Sequence, residues 1–350
     1  MGFNVDHSST YYVKVRAYCD NSHYSGWSNV IVFTTPYFGK IFTGAEDNLW
    51  SNANNWTGGI PNEDYDVLLQ ADVTVTGEAE ACDIDLGEYT ITVEAGGVLN
   101  ANAFIGENAD NPFKTVIKDG GQVKSNTPFL ATIEKNIIGY GAENVNDRAR
   151  WYLVATPTSV MVNDVYVPKN GSEYLFDQMD FYWFNGGQEL EWVNPKCSSA
   201  EGCETPSGII LQGSIYGATM AQPKHGYLYA RQEDATLQIT AGLVGNMHFP
   251  ATNVDTDVDL NFYSNVTNAP LNGWNLIGNP FTCDAYLLDN DGNSMAFYRM
   301  NDTGDRIVLA EAGTAIKPCE GVFVQVTDNG SGNVTIVTFT STEPSRNHKF

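Results

Sequence analysis

The sequence predicts an all-β protein: a short parallel β-solenoid segment, then a duplicated β-sandwich-like domain, with two strands of a further, truncated domain at the N-terminus. Of its 350 residues only 17% are charged, whereas 33 glycines, 14 prolines and 12% aromatic side chains are typical of short strands and tight turns. Two internal repeats predict the solenoid and the duplication. At this length we expect two to three domains with sizeable cores.

The chain is strongly acidic, with 42 Asp and Glu residues against 18 Lys and Arg and a formal net charge of −24. A basic surface able to neutralise a run of phosphates is not expected, so we predict no nucleic-acid partner. No run of 18 apolar residues occurs, and residues 1–20 lack the basic-then-apolar order of a secretory signal. We therefore expect no membrane insertion, and a monomer in isolation.

Residues 1–36 contain two predicted strands. Residues 11–18 alternate apolar and polar side chains, as a half-buried strand does, and residues 25–36 form a second strand that Pro36 ends. This pair resembles the last two strands of a fibronectin type III domain. Two strands alone cannot bury a core, so we expect weak stability or packing on the next segment of the chain, and a parent protein that continues upstream of Met1.

Residues 37–61 are predicted to be a tryptophan-rich cap or linker. Trp50 and Trp56 lie among turn-forming Asn and Gly residues, as side chains covering an open core do.

Residues 62–145 contain the first repeat. Ile91–Leu99 aligns with Thr115–Val123 at a period of 24 residues, which superimposes the Gly-Gly pair of each segment. That period suits one coil of a parallel β-solenoid, in which each coil buries its inward side chains on the next. Val73, Val75, Ile84 and Leu86 are expected to supply the preceding coil. About three coils are too short for the groove of a polysaccharide lyase, so a spacer is the preferred interpretation.

Residues 146–342 contain a second, more divergent duplication. Trp151–Pro157 aligns with Trp274–Pro280, and Pro223–Tyr229 with Pro318–Val324; Phe181-Tyr182 likewise corresponds to Phe297-Tyr298. We predict two related β units packed face to face, with Trp151 and Trp274 at equivalent core positions.

These segments resemble a module common near the C-termini of large secreted proteins of Bacteroidota. Arg150–Pro157, Lys224–Tyr229, Gly273–Phe281 and Phe297–Asn301 carry the resemblance. In that family the module precedes a sorting domain of the type IX secretion system, which the tail at residues 343–350 does not supply. The resemblance implies export and an extracellular or cell-surface location, but no single activity.

Six cysteines are compatible with an oxidising compartment. Cys197 and Cys203 bracket a short polar loop and are predicted to form a disulfide; reduced thiols and, last, a metal site are the alternatives. Cys283 and Cys319 are a plausible second pair.

Two aspartate groups are candidate calcium ligands, although no cofactor is expected. Asp255, Asp257 and Asp259 project from one face of a predicted strand, where a solvated edge is the preferred interpretation. Asp289 and Asp291 resemble the start of a calcium loop, but a hairpin turn explains them better.

Aromatic side chains are the best candidates for ligand binding. Tyr182, Trp183 and Trp192 are the rings that we expect to stack on a sugar, although a doubly buried strand explains them without a ligand. No catalytic motif is present, so no enzyme activity is expected of this chain.

The sequence leaves three hypotheses for function. The first is a non-catalytic stalk, display or adhesion region of an exported bacterial surface protein, with glycans or surface proteins as partners. The second is a carbohydrate-binding module. The third is an accessory region of a secreted glycanase or protease whose catalytic domain lies upstream.

Overall fold

The computed structural model describes most of the chain, namely residues 10–20, 23–34, 39–106, 114–141, 150–186, 192–193, 220–242, 247–262, 272–327 and 334–344. These residues confirm the predicted all-β class. The helices among them are single turns at Ala53–Asn55, Val162–Val165 (α1) and Phe176–Gln178. None of these described turns has the length or apolar character needed to cross a membrane.

The N-terminal segment is a ribbon of four short strands, β1 (Thr10–Val13), β2 (Tyr18–Asp20), β3 (His23–Tyr24) and β4 (Ile31–Thr34). Strand β1 pairs antiparallel with β4, and β2 with β3. Val15 and Trp27 are 57% and 60% exposed. The face that the alternation predicts to be half-buried therefore stays uncovered by the described residues.

The solenoid contains nine strands in two parallel sheets, which confirms the predicted parallel β-solenoid segment. One sheet has the order β5-β6-β8-β10-β12 and the other begins β7-β9-β11-β13. The strands are β5 (Lys40–Phe42), β6 (Val67–Leu69), β7 (Val73–Val75), β8 (Glu78–Asp85), β9 (Ile91–Val93), β10 (Val98–Ile105), β11 (Thr115–Ile117), β12 (Gln122–Ser125) and β13 (Thr132–Ile137).

The 24-residue repeat sets the register between coils. Ile91 lies opposite Thr115 and Val98 opposite Gln122, as the sequence alignment predicts. Val73 pairs with Ile91 and supplies the preceding coil, also as expected.

The repeated Gly-Gly pair has a packing reason. The first glycine of each pair has a positive φ, which L side chains rarely adopt. At the second, a Cβ on Gly97 would lie 2.5 Å from the Val75 oxygen, and one on Gly121 would lie 2.5 Å from the Val93 oxygen. Each turn therefore passes too close to the coil below it to hold any other residue.

Aromatic rings close both ends of the solenoid core. At the first end Trp50, only 2% exposed, packs with Trp56 and Phe42, and the Trp56 Nε1 donates to the Trp50 oxygen at 2.7 Å. At the other end, Phe129 and Phe249 are fully buried with ring centroids 5.9 Å apart. These rings keep water from the two open faces that a short solenoid has.

The remaining strands form two four-stranded sheets of the same strand order, β14-β21-β18-β19 and β24-β28-β26-β27, with smaller sheets around them. Two-stranded ladders join β15 to β20 and β16 to β17, and a three-stranded sheet has the order β23-β29-β25. The bounds are β14 (Tyr152–Ala155), β15 (Val160–Met161), β16 (Lys169–Asn170), β17 (Glu173–Tyr174), β18 (Met179–Phe184), β19 (Trp192–Val193), β20 (Met220–Ala221), β21 (Gly226–Arg231), β22 (Ala235–Thr240), β23 (Thr256–Leu260), β24 (Trp274–Gly278), β25 (Tyr286–Leu288), β26 (Phe297–Met300), β27 (Ile307–Ala310), β28 (Gly321–Gln325) and β29 (Thr335–Thr340).

The two four-stranded sheets confirm the predicted duplication residue by residue. Leu153 lies opposite Leu228 in the first sheet, and their sequence equivalents Leu276 and Phe323 lie opposite each other in the second. The sheets pack on each other through a shared apolar layer of Leu153, Leu276 and Phe323, to which Phe184, Trp192, Leu228, Trp274, Tyr298 and Met300 contribute.

Trp151 and Trp274 have equivalent surroundings. The Trp151 ring contacts Tyr182 at a centroid distance of 6.0 Å, and Trp274 contacts the equivalent Tyr298 at 5.0 Å. Both tryptophans are half-buried rather than fully buried, and Trp274 packs against the apolar layer between the two sheets. Each lies at the start of its strand, where the apolar layer ends and solvent begins.

The contacts between the two sheets are reciprocal. Val154 forms a β-bridge with Glu320, and the equivalents of these residues, Ile277 and His225, form the same bridge in the other direction. The two units are thus related by an approximate two-fold axis.

Residues next to that axis repeat an unusual backbone conformation. Lys224 and Cys319 are equivalent, both have a positive φ (70° and 59°), and their carbonyl oxygens accept from Gly278 N and Ala155 N respectively, each at 2.9 Å. A Cβ on Gly278 would overlap the Ala155 Cβ. Ala155 and Gly278 are also equivalent, and only one of them can therefore carry a methyl group.

Strand β22, which follows β21 of the first unit along the chain, is the end strand of a solenoid sheet and so connects the two parts. Strand β22 pairs antiparallel with β13 over six residue pairs, from Thr132 opposite Thr240 to Ile137 opposite Ala235. A second junction forms where Thr282 Oγ1 donates to the Val123 oxygen at 2.7 Å.

Candidate functional site

A groove of about 550 Å³ lies beside β24, between this edge strand and β23. We call it the β24 groove. It is lined by Phe184, Gly186, Lys224, His225, Asp257, Val258, Asp259, Asn261, Trp274, Asn275, Leu276 and Ile277. Its volume is within the range of small-molecule sites.

A side-chain amide fixes the spacing of the two strands that border the groove. The Asn275 Nδ2 donates to the Asn261 oxygen at 3.0 Å, and the Asn275 Oδ1 accepts from Asn261 N at 3.2 Å. This reciprocal pair replaces the ladder bonds that an edge strand lacks.

The acidic wall comes from the alternation of β23. Val258 and Leu260 are buried, whereas Asp257 and Asp259 face solvent, as the sequence predicts for one face of a strand. The Asp257 Oδ1 accepts from Thr338 Oγ1 at 2.7 Å. The Asp259 carboxylate has no hydrogen bond or ion pair with the residues that the structure describes.

The opposite wall is formed by Lys224 and His225. The Lys224 Nζ donates to the Asp257 main-chain oxygen at 2.9 Å and so crosses the groove. The His225 side chain is exposed at the rim of the groove; partial desolvation by surrounding protein atoms lowers its pKa below the ordinary value, and the adjacent Lys224 charge lowers it further. Its ring nitrogens make no hydrogen bond within the described part of the chain.

The two-fold axis places an equivalent groove of about 620 Å³ on the other unit, against the solenoid. There the position of His225 is taken by Glu320, which forms a two-pronged pair with Arg299 that includes an Nε–Oε1 bond of 2.7 Å. The solenoid contributes Lys135 and Asp119, paired at 3.0 Å. These charged groups are thus paired within the protein.

The rings predicted to bind a sugar do not form one surface. Tyr182 and Trp192 lie on the face of β18 and β19 that meets the second sheet, with ring centroids 6.4 Å apart. Trp183 lies on the other face, against the core that continues into the solenoid. The expected set is therefore divided by the pleat of the strand, and the half-buried Trp274 was missed because it was treated only as a mark of the repeat.

The first predicted calcium site does not assemble among the described residues. Asp255, Asp257 and Asp259 do not bring their oxygens within 4.8 Å of one another. Side chains two residues apart on an extended strand are separated by about 6.7 Å, which is too far for one cation without further ligands.

The second predicted calcium site is a hairpin turn. The Asp289 Oδ1 accepts from Asp291 N at 2.9 Å and from Asn293 N at 2.8 Å, and these hydrogen bonds hold the pKa of Asp289 below its ordinary value. A different group, Asp66, Cys82 and Asp83, does converge within the described residues. Burial and the two carboxylates raise the pKa of Cys82, so its thiol stays protonated.

The proposed pairing of Cys283 with Cys319 was wrong. Both are free and buried, and they belong to separate apolar clusters: Cys319 to the core shared by the solenoid and the first unit, Cys283 to that of the second unit. Burial raises the pKa of each thiol to about 12. Cys197 and Cys203 lie outside the described residues.

Comparisons of this chain with protein-family models, with curated proteins and with solved structures found no match. The fold therefore provides the only classification: the chain is an all-β protein that combines a short parallel solenoid with a duplicated β unit.

Proposed function

We propose that the chain is a rigid, non-catalytic display and adhesion region of an exported cell-surface protein. The observation that supports this role is the pairing of β13 with β22 over six residue pairs, which fastens the strand that follows the first β unit to the solenoid; the Thr282–Val123 hydrogen bond fastens the second unit. A spacer needs such connections, because a flexible hinge would let the displayed end fold back on the surface.

Two further features are in keeping with that role. Buried rings cover both ends of the solenoid, and at the second end its core is continuous with that of the first β unit. The formal charge of −24 keeps such a region soluble and repels other acidic surfaces. Export and the relation to secreted Bacteroidota proteins rest on the sequence resemblance and belong to the same proposal.

Distances between pairs of spin labels test the rigidity. Labels carried by genetically encoded amino acids at the exposed Glu88 and Asn290 span the junction and leave the native cysteines unchanged. We expect a single narrow distance distribution. A second pair at Glu88 and Asn126, both in the solenoid, gives the width of a rigid body for comparison. A distribution across the junction several times broader than this control would contradict the proposal.

A further inference from the structure

We propose that the β24 groove is a binding site for a neutral saccharide, with Trp274 as the stacking ring and Asp259 and His225 as hydrogen-bonding groups. This inference names the ligand class for adhesion and therefore rests on the display and adhesion function proposed above.

The polarity of the groove selects the ligand class. Asp259 offers acceptors, the Lys224 ammonium retains donors beyond the one given to Asp257, and the His225 imidazole carries two nitrogen atoms that can donate or accept. Hydroxyl groups do both, so a sugar matches this mixture. An anion would meet two carboxylates, and a cation would meet the lysine.

The aromatic side chain is held in place before any ligand arrives. Trp274 contacts Tyr298 at 5.0 Å and Phe323 at 6.0 Å, both edge to face, and is one of the residues that line the groove. A ring already fixed loses little conformational entropy on binding. The apolar C–H face of a pyranose is a suitable partner for it.

Comparison with the equivalent groove shows which charged side chains form ion pairs within the protein. Glu320 and Arg299 pair there, as do Lys135 and Asp119, so these four charged side chains are engaged within the protein. In the β24 groove the residue equivalent to Glu320 is His225, which has no such partner in the described chain. The position that is ion-paired in one groove is therefore available to a ligand in the other.

The proposal is tested by titrating the protein with neutral hexasaccharides and following binding by calorimetry and tryptophan fluorescence. The five hexasaccharides are those of β-1,4-glucose, β-1,3-glucose, β-1,4-mannose, β-1,4-xylose and N-acetylglucosamine. We expect at least one of them to bind with a Kd between micromolar and millimolar. Trp274→Ala and Asp259→Ala should each weaken binding about tenfold or more, equivalent to about 1.4 kcal/mol.

The duplication provides matched controls. Trp151→Ala removes the equivalent ring from the other unit, and Asp255→Ala removes an exposed carboxylate outside the groove; both should bind within about twofold of the parent protein. Asp259 is exposed and has no ion pair with any described residue, so its variant tests the site even if Trp274→Ala does not fold.

Two results would overturn the inference. One is no heat or fluorescence change with any of the five saccharides at millimolar concentration; the other is an equal loss of affinity in the groove variants and their controls. Neither result alters the spin-label distances, so failure of the saccharide site is distinguishable from failure of the display function.

Discussion

Exchange of one methyl group across the two-fold axis is the most direct test of how the two units pack. Gly278 and Ala155 are equivalent residues that face each other, and a Cβ on Gly278 would overlap the Ala155 Cβ while lying 2.5 Å from the His225 main-chain oxygen. Gly278→Ala therefore forces two sheets apart at a point where backbone, rather than a flexible side chain, is in the way.

The expected energies come from these contacts. Overpacking of a core costs about 1–3 kcal/mol, and we expect Gly278→Ala near the upper limit because a carbonyl group is involved. Ala155→Gly loses a buried methyl group and adds backbone freedom, together about 1.5 kcal/mol. The double variant moves the methyl group to the other side of the axis, so the overlap is relieved and only the His225 contact remains. It should be about 1 kcal/mol more stable than the sum of the single changes predicts.

Urea unfolding followed by tryptophan fluorescence measures the three variants against the parent protein, with near-ultraviolet circular dichroism to confirm native packing. Additivity within about 0.3 kcal/mol would refute the reasoning, because independent sites behave in that way. A Gly278→Ala variant as stable as the parent would do the same.

Three other predictions concern the thiols, the glycine repeat and the end of the solenoid. Cys283 and Cys319 should react with a thiol reagent only after unfolding. Their folded pKa of about 12 lies above the ordinary value near 9, so the folded state keeps these protons where the unfolded state loses them, and the free energy of unfolding should fall as pH rises from 9 towards 12. Gly121→Ala should cost about 1–3 kcal/mol in urea unfolding, whereas Gly77→Ala, whose Cβ would meet nothing within 4 Å, should be neutral; equal stabilities would contradict the close coil spacing. Phe249→Ala should cost about 3–5 kcal/mol and speed hydrogen exchange in the last coil, and unchanged exchange there would argue against its role in closing the core.

Periodic features of the fold were predictable from the sequence. A 24-residue alignment predicts the pairing of Ile91 with Thr115, because repeated residues occupy repeated positions in a ladder. The alignment of the two tryptophan segments predicts that β14 and β24 are equivalent strands, and their ladders with β21 and β28 have matching registers. Side-chain alternation likewise placed Asp257 and Asp259 on the solvent face of β23.

The β24 groove was not predictable in this way. Its walls come from Lys224-His225, from β23 and from β24, three segments that no local pattern relates to one another. The sequence positions of cysteines do not show which of them meet in space: Cys283 and Cys319 were matched as a plausible pair, yet they are buried in separate apolar clusters.

The reciprocal bridges between the two units have the form of an isologous interface, in which the same patch on each partner meets its copy. Such an interface between separate chains depends on protein concentration and requires identical sequences on both sides. Joining the partners in one polypeptide replaces that dependence with a fixed effective concentration. It also allows equivalent positions to differ. Ala155 carries a methyl group where Gly278 has none, and Glu320 is ion-paired where His225 has no ion pair among the described residues. A symmetric homodimer would have to accept the same residue at both positions of each pair.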